Sequence, residues 1–136
     1  MTVSRRATDA ALGDTLEIVD GIGQFRPAGD CTLVEAVDLI NLAIEYCRGR
    51  RVDKLLVDAK RLAGVAIPSL VDRFLMVEQW AHESEGMVVV VLVIHPEYIH
   101  PQKFGKRVAA DFGLTAEVYS SEPEALKWLA SAPTAM

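Results

Sequence analysis

Cysteine is scarce in this chain, aromatic residues are few, and no apolar run approaches the length of a membrane span. The two cysteines among 136 residues, Cys31 and Cys47, fall at either edge of one expected helix. The rise along that helix separates them by about 20 Å or more, far beyond disulfide reach. A disulfide scaffold is therefore excluded, and reduced, buried thiols of a cytosolic protein are the preferred reading. The longest apolar run, Met87–Ile94, falls far short of the roughly 20 residues that cross a bilayer. Arg5 and Arg6 are not followed by an apolar stretch, so no secretory leader is expected and the cytoplasm is the expected compartment.

A basic surplus is missing too. Lys and Arg number 14 against 19 Asp and Glu, a net charge of −5, which argues against a nucleic-acid partner that must displace phosphate counterions. Glycines are present, but none forms a phosphate loop or a nucleophile elbow, and Gly21-Ile22-Gly23 reads as a hairpin turn. Paired carboxylates at a useful spacing are also lacking. No catalytic residue and no cofactor are expected on these grounds. His95, Glu97 and His100 superficially suggest a metal site, but their spacing fits neither a helical pair nor a standard zinc pattern. No metal site is expected either.

What remains is the composition of a packed globule, 51% hydrophobic and 24% charged, of a size for one domain. Residues 1–14 lack periodicity and read as a loose arm, and 132–136 as a tail. Leu16–Val19 and Ile22–Arg26 read as strands of a hairpin turning at Asp20-Gly21, which Pro27, Gly29 and Asp30 end. Thr32-x-x-Glu35 is a capping box. The helix it opens carries Leu33, Ala36, Val37, Ile40, Ala43, Ile44 and Cys47 on one face and closes at Gly49. Val52–Asp58 reads as a central parallel strand, apolar on both faces.

Pro68 suits the first turn of a second helix, running to about His82 with Leu70, Val71, Phe74, Val77 and Ala81 inward. Met87–Ile94 is the second buried strand. A third helix, from about Pro101 to Gly113, places Phe104, Val108 and Phe112 inside. Ala116–Tyr119 is the last strand, and Ser121-x-x-Glu124 a second capping box before a final helix. The order ββαβαβαβα predicts an α/β fold, a single-domain, mostly parallel (mixed) five-stranded sheet flanked by about four helices, over residues 15–131.

Ligands collect at the carboxyl ends of parallel strands, which makes Asp58, Lys60, Arg61, Ser69 and His95 the candidate binding residues. Asp58 orients a ligand or caps its own loop. Lys60 and Arg61 grip an anion beside the Pro68-Ser69 helix start or are solvated loop charges. Lys103, Lys106 and Arg107 form a basic face, for an acidic partner or for solubility. Phe74, Met76 and Trp80 leave a surplus of apolar surface on the second helix, the candidate interface of a homodimer. An enzymatic alternative would need Asp58 and His95 within hydrogen-bond reach across adjacent strand ends.

The strand Leu55-Leu56-Val57-Asp58, the central strand Val88–Ile94, and the ending Glu117-Val118-Tyr119 followed by Ser121-Glu-Pro-Glu-Ala-Leu-Lys-Trp-Leu129 together resemble the SpoIIAA-like family. More distantly they resemble the STAS domains of anti-sigma-factor antagonists. The resemblance implies a regulatory or adaptor domain without catalysis, contacting a protein partner such as a regulatory kinase or a sigma-factor-type regulator. STAS antagonists carry a phosphorylated serine in an Asp-Ser-Ser-Gly stretch at this helix start. Here the matching stretch is Ala66-Ile67-Pro68-Ser69, and Ser69 is the one hydroxyl near the position. A looser similarity of SpoIIAA-like proteins to the CRAL-TRIO lipid-transfer fold implies the alternative, a carrier of a lipid or small apolar ligand in a pocket between a helix and the sheet.

Overall fold

The computed structural model describes residues 15–132, so the arm at 1–14 and all of the tail except Ala132 lie outside the described residues. Strand β1 (Leu16–Val19) turns back into β2 (Ile22–Phe25) as an antiparallel pair. Asp20 and Gly21 both hold positive φ, 52° and 77°, as the two central residues of a tight hairpin turn require. Then come β3 (Ala28–Asp30), α1 (Leu33–Gly49), β4 (Lys54–Asp58), β5 (Arg61–Ala63) and α2 (Leu70–Ser84). These are followed by β6 (Val89–Val93), a 3₁₀ turn at Pro96–Tyr98, α3 (Phe104–Asp111), β7 (Ala116–Tyr119) and α4 (Glu122–Ser131). The main sheet runs β1-β2-β4-β6-β7, with every pair after the hairpin parallel. The α/β class and the five-stranded mixed sheet with four helices are thus as the pattern predicts.

The spatial order of the strands is also their chain order, without reversal. Right-handed crossovers made always in one direction put their helices on one face of the sheet. Accordingly α1, α2 and α3 pack with Leu55, Val57, Val88 and Val90 in one apolar cluster. α4 follows the last strand and has no crossover to make. It covers the opposite face, where Ala125 and Leu129 meet Leu56, Val89, Val91 and Val93. Alternation along β4 and β6 feeds both clusters, which is why these strands read as continuous apolar runs.

Several local expectations need correction. The segments around Gly29 and Arg61 are not plain loop: β3 and β5 pair in parallel as a second, two-stranded sheet. They continue β2 and β4 past a break. Phe25 pairs with Val57 and Ala28 with Arg61, so one extra residue enters on the β4 side, while Pro27 lacks the N–H that would continue the ladder. Pro68 stands before the N-cap of α2, Ser69, rather than in its first turn. Ser121 caps α4 by position only, with no side-chain bond, so its capping box is not formed.

The buried stripe of α2 differs most. It consists of Val77, Trp80, Ala81 and Ser84, whereas Leu70, Val71 and Phe74 are 53%, 67% and 40% exposed. This helix carries two apolar stripes. The one with the larger ring is buried, because the Trp80 indole N–H finds the Val37 carbonyl at 3.1 Å and the Ser84 hydroxyl donates to Ala81 O at 2.9 Å. Phe112 likewise lies outside, at the end of α3, where its ring meets Phe74 edge-on with centroids 5.5 Å apart.

Candidate functional site

Three of the candidate residues gather at the carboxyl end of β4. Asp58, 7% exposed, accepts the Lys60 N–H on Oδ1 at 3.0 Å, the loop-capping bond its strand-end position predicts. Lys60 does not reach toward the α2 start. Its ammonium donates to Ser120 O at 2.9 Å, because β7 ends beside it on the same edge of the sheet. The Lys60 carbonyl accepts from His95 Nε2 at 3.0 Å. Asp58 and His95 thus hold the two ends of one residue's backbone and are not bonded to each other. Arg61 is exposed on β5.

Ser69 stands apart from this group, occupied with its own helix. Its hydroxyl accepts the Asp72 N–H at 3.0 Å and its N–H donates to Asp72 Oδ2 at 3.0 Å, a closed capping box. An anion shared by Lys60, Arg61 and the start of α2 is not what this arrangement offers.

The partners of Asp58 come from places the sequence does not connect. Arg26, after β2, grips Glu122 with two parallel bonds, Nε to Oε2 at 2.9 Å and Nη2 to Oε1 at 2.8 Å. Those bonds hold Glu122 well below the usual carboxylate range, at about 2. Asp58 lies against Glu122, and burial first, then the hydrogen bond with that neighbour, pushes its own carboxyl up. Two carboxyls therefore lie side by side under the N-terminus of α4, one held down by Arg26 and the other pushed up by burial.

A second region lies on the opposite face. Beneath α2 are two adjoining cavities, of about 90 Å³ toward α1 and about 80 Å³ toward α3. Arg73, Met76, Trp80, Leu92, Ile94 and Tyr98 line both, and His95 reaches the first. Trp80, at 4% exposure, belongs to this interior. One of the three residues expected at a dimer interface is therefore not on the surface, while Met76 beside it is half-buried and reaches the surface between α1 and α2. Phe74 alone of them is exposed. The exposed apolar residues of this face are Leu70, Val71, Phe74 and Leu75 on α2, with Ile67 before it, Val34 on α1 and Phe112. Val34 and Leu75 share a shallow outer groove between α1 and α2, whose charged lining, among the described residues, is Asp38 and Asp72.

Arg73 and Glu122 were not anticipated as site residues. Arg73 could have been found as a cation in line with Val77, Trp80 and Ala81, once that stripe was taken as the buried one. Glu122 had no such local signal. Among the described residues no group of three or more His, Cys, Asp and Glu could hold a metal ion, and no helix is long and apolar enough to cross a membrane. Compared with known proteins, the chain matches no family model, no curated protein and no solved structure.

Proposed function

We propose that this chain is a non-catalytic regulatory or adaptor domain, of the SpoIIAA-like and STAS-like kind, that acts through protein contact on the outer face of α2. The observation that carries the reading is the second apolar stripe of that helix. Leu70, Val71, Phe74 and Leu75 occupy adjacent turns, each at least two-fifths exposed, and the 34–75 groove and the Phe74–Phe112 contact extend them across three helices. A contiguous exposed apolar patch, unlike apolar residues scattered singly, marks an interaction site.

The rim of the groove selects the occupant. Among the described residues Asp38 and Asp72 are its charges and no cation lines it, in a chain with a net charge of −5. The complementary partner is an amphipathic helix with an apolar face and lysine or arginine flanks, the helix-in-groove mode of recognition. A regulatory kinase or sigma-factor-type regulator would supply such a helix in the STAS-like reading.

The test is an NMR titration of the isotope-labelled chain with a short synthetic helix bearing leucines on one face and lysines at its flanks. Saturable shifts at Val34, Val71 and Leu75 are expected, with affinity falling as salt rises. Leu75→Asp should weaken binding at least about tenfold, roughly 1.4 kcal/mol, without lowering Tm. Equal binding of a glutamate-flanked helix, or none of either, would refute the reading. A concentration-dependent dimer protecting the same residues would reassign the face to a second copy of the chain.

A further inference from the structure

The cleft beneath α2 combines two properties that rarely coincide in a packed interior, an apolar lining and an excess of positive charge. Among the described residues Arg73, Lys103 and Lys106 line it, together with His95 and His100, against one carboxylate, Glu117. In a chain with a net charge of −5, this is a local reversal of sign. The lysines are not the free part of it. Glu117 accepts from Lys103 at 2.9 Å, from Lys106 at 2.6 Å and from the Val118 N–H at 3.0 Å. Burial pushes the Glu117 carboxyl up, but the two lysine bonds outweigh it and hold the group below its ordinary value. That triad is closed.

Arg73 is not closed. Among the described residues no carboxylate lies within ion-pair distance of it, and its one hydrogen bond runs from Nη1 to the Tyr98 carbonyl at 3.0 Å. Burial alone pulls its guanidinium down from the ordinary value, with no acid to oppose the shift. A guanidinium has five N–H donors in a planar fork, so most of this fork remains available. Tyr98 fixes its position from below, since the phenol hydroxyl donates to Val65 O at 2.5 Å and ties the 3₁₀ turn to the loop before α2. Around the fork the walls are Met76, Trp80, Leu92 and Ile94.

We infer that the cleft is a binding site for a small monocarboxylate with an apolar body, the carboxylate on the Arg73 fork and the body between Trp80, Met76 and Leu92. One unpaired guanidinium matches one planar carboxylate through two parallel bonds, whereas a phosphate dianion has no apolar body to occupy the walls of Trp80, Met76 and Leu92. Size agrees. The two cavities together slightly exceed the ~150 Å³ of an apolar void that takes up benzene, which suits an aryl or short alkyl group and is too small for a long acyl chain. Binding here does not rest on protein contact on the outer face, although Leu33, Val37 and Met76 line both the first cavity and the outer groove.

Phenylacetate is the probe, with phenylacetamide as its neutral counterpart and inorganic phosphate as an anion without an apolar body. The readout is the Trp80 indole N–H resonance, in the chain as it stands. Phenylacetate alone should shift that resonance saturably. Arg73→Met should weaken it at least tenfold, Arg73→Lys less, and Ile94→Phe, which fills the void and leaves the charge in place, should abolish it. A thermal melt confirms that each variant is folded, and Arg73→Lys serves if Arg73→Met is not. Phenylacetamide binding as well as phenylacetate would reduce the cleft to an apolar void and overturn the proposal. So would phosphate binding equally well, or no saturable shift with any probe.

Discussion

Asp58 and Glu122 sit in contact, and the protein pushes their proton affinities in opposite directions. Glu122, held at about 2 by Arg26, contributes stability that is complete above its unfolded value of about 4.3 and is lost as pH falls toward its folded one. Asp58 has the contrary sign. Its folded value is raised by burial and by Glu122, so its contribution is complete below the unfolded value of about 3.9 and is lost as pH rises through the folded one. Ionised Asp58 is thus a standing cost at neutral pH. Asp58→Asn keeps the oxygen that accepts the Lys60 N–H and removes the charge. It should raise Tm by a few degrees at pH 7 and leave it unchanged in acid, where Asp58 is already protonated. Urea midpoints of the two proteins across pH 3 to 7 would check this, and a gap that widens toward acid would contradict it.

At the scale of elements, the closest fit is between β2 and α1. A Cβ on Gly23 would stand 2.7 Å from Cys47 Sγ and 3.3 Å from Leu55 Cδ1, so the helix lies on the sheet at a distance only glycine permits. Gly23→Ala should cost about 1–3 kcal/mol through overpacking. Adding Cys47→Ala, which removes the blocking sulfur, should return much of it, a coupling that a double-mutant cycle in urea would read. Burial also pushes the Cys47 thiol up to about 12, so it should react with thiol reagents only on unfolding. How much of this was legible depended on signal length. β4 and β6 were plain because both faces are buried, and α1 because its capping box and stripe agree. α2 misled because it carries two stripes, and periodicity cannot say which one the sheet takes. β3 and β5 are three residues each, below any repeat. Of the site, Asp58 was legible as a strand-end acid. Glu122, from the far end of the chain, and Arg73, on the misread stripe, were not, since their roles exist only once the elements pack.

For the molecule as a whole, the two faces of the sheet are unequally served. Three helices cover one face, while among the described residues α4 alone covers Leu56, Val89, Val91 and Val93. Burying Leu129 by itself is worth about 1.5–3 kcal/mol. A chain ending at Ser120 should bind an apolar dye and melt without cooperativity, and a peptide spanning 121–132 should restore a sharp transition. A truncated chain that melts cooperatively on its own would show that α4 is dispensable. The same asymmetry has a meaning in time. A ribosome releases this chain in the order in which the sheet is laid down, each new parallel strand adding beside the one before it. Every strand can therefore dock as it emerges, yet among the described residues nothing covers the second face until α4 is out. The wait for α4, and any chaperone that shields the uncovered face meanwhile, would weigh more on the yield of folded protein than the docking of the strands made earlier.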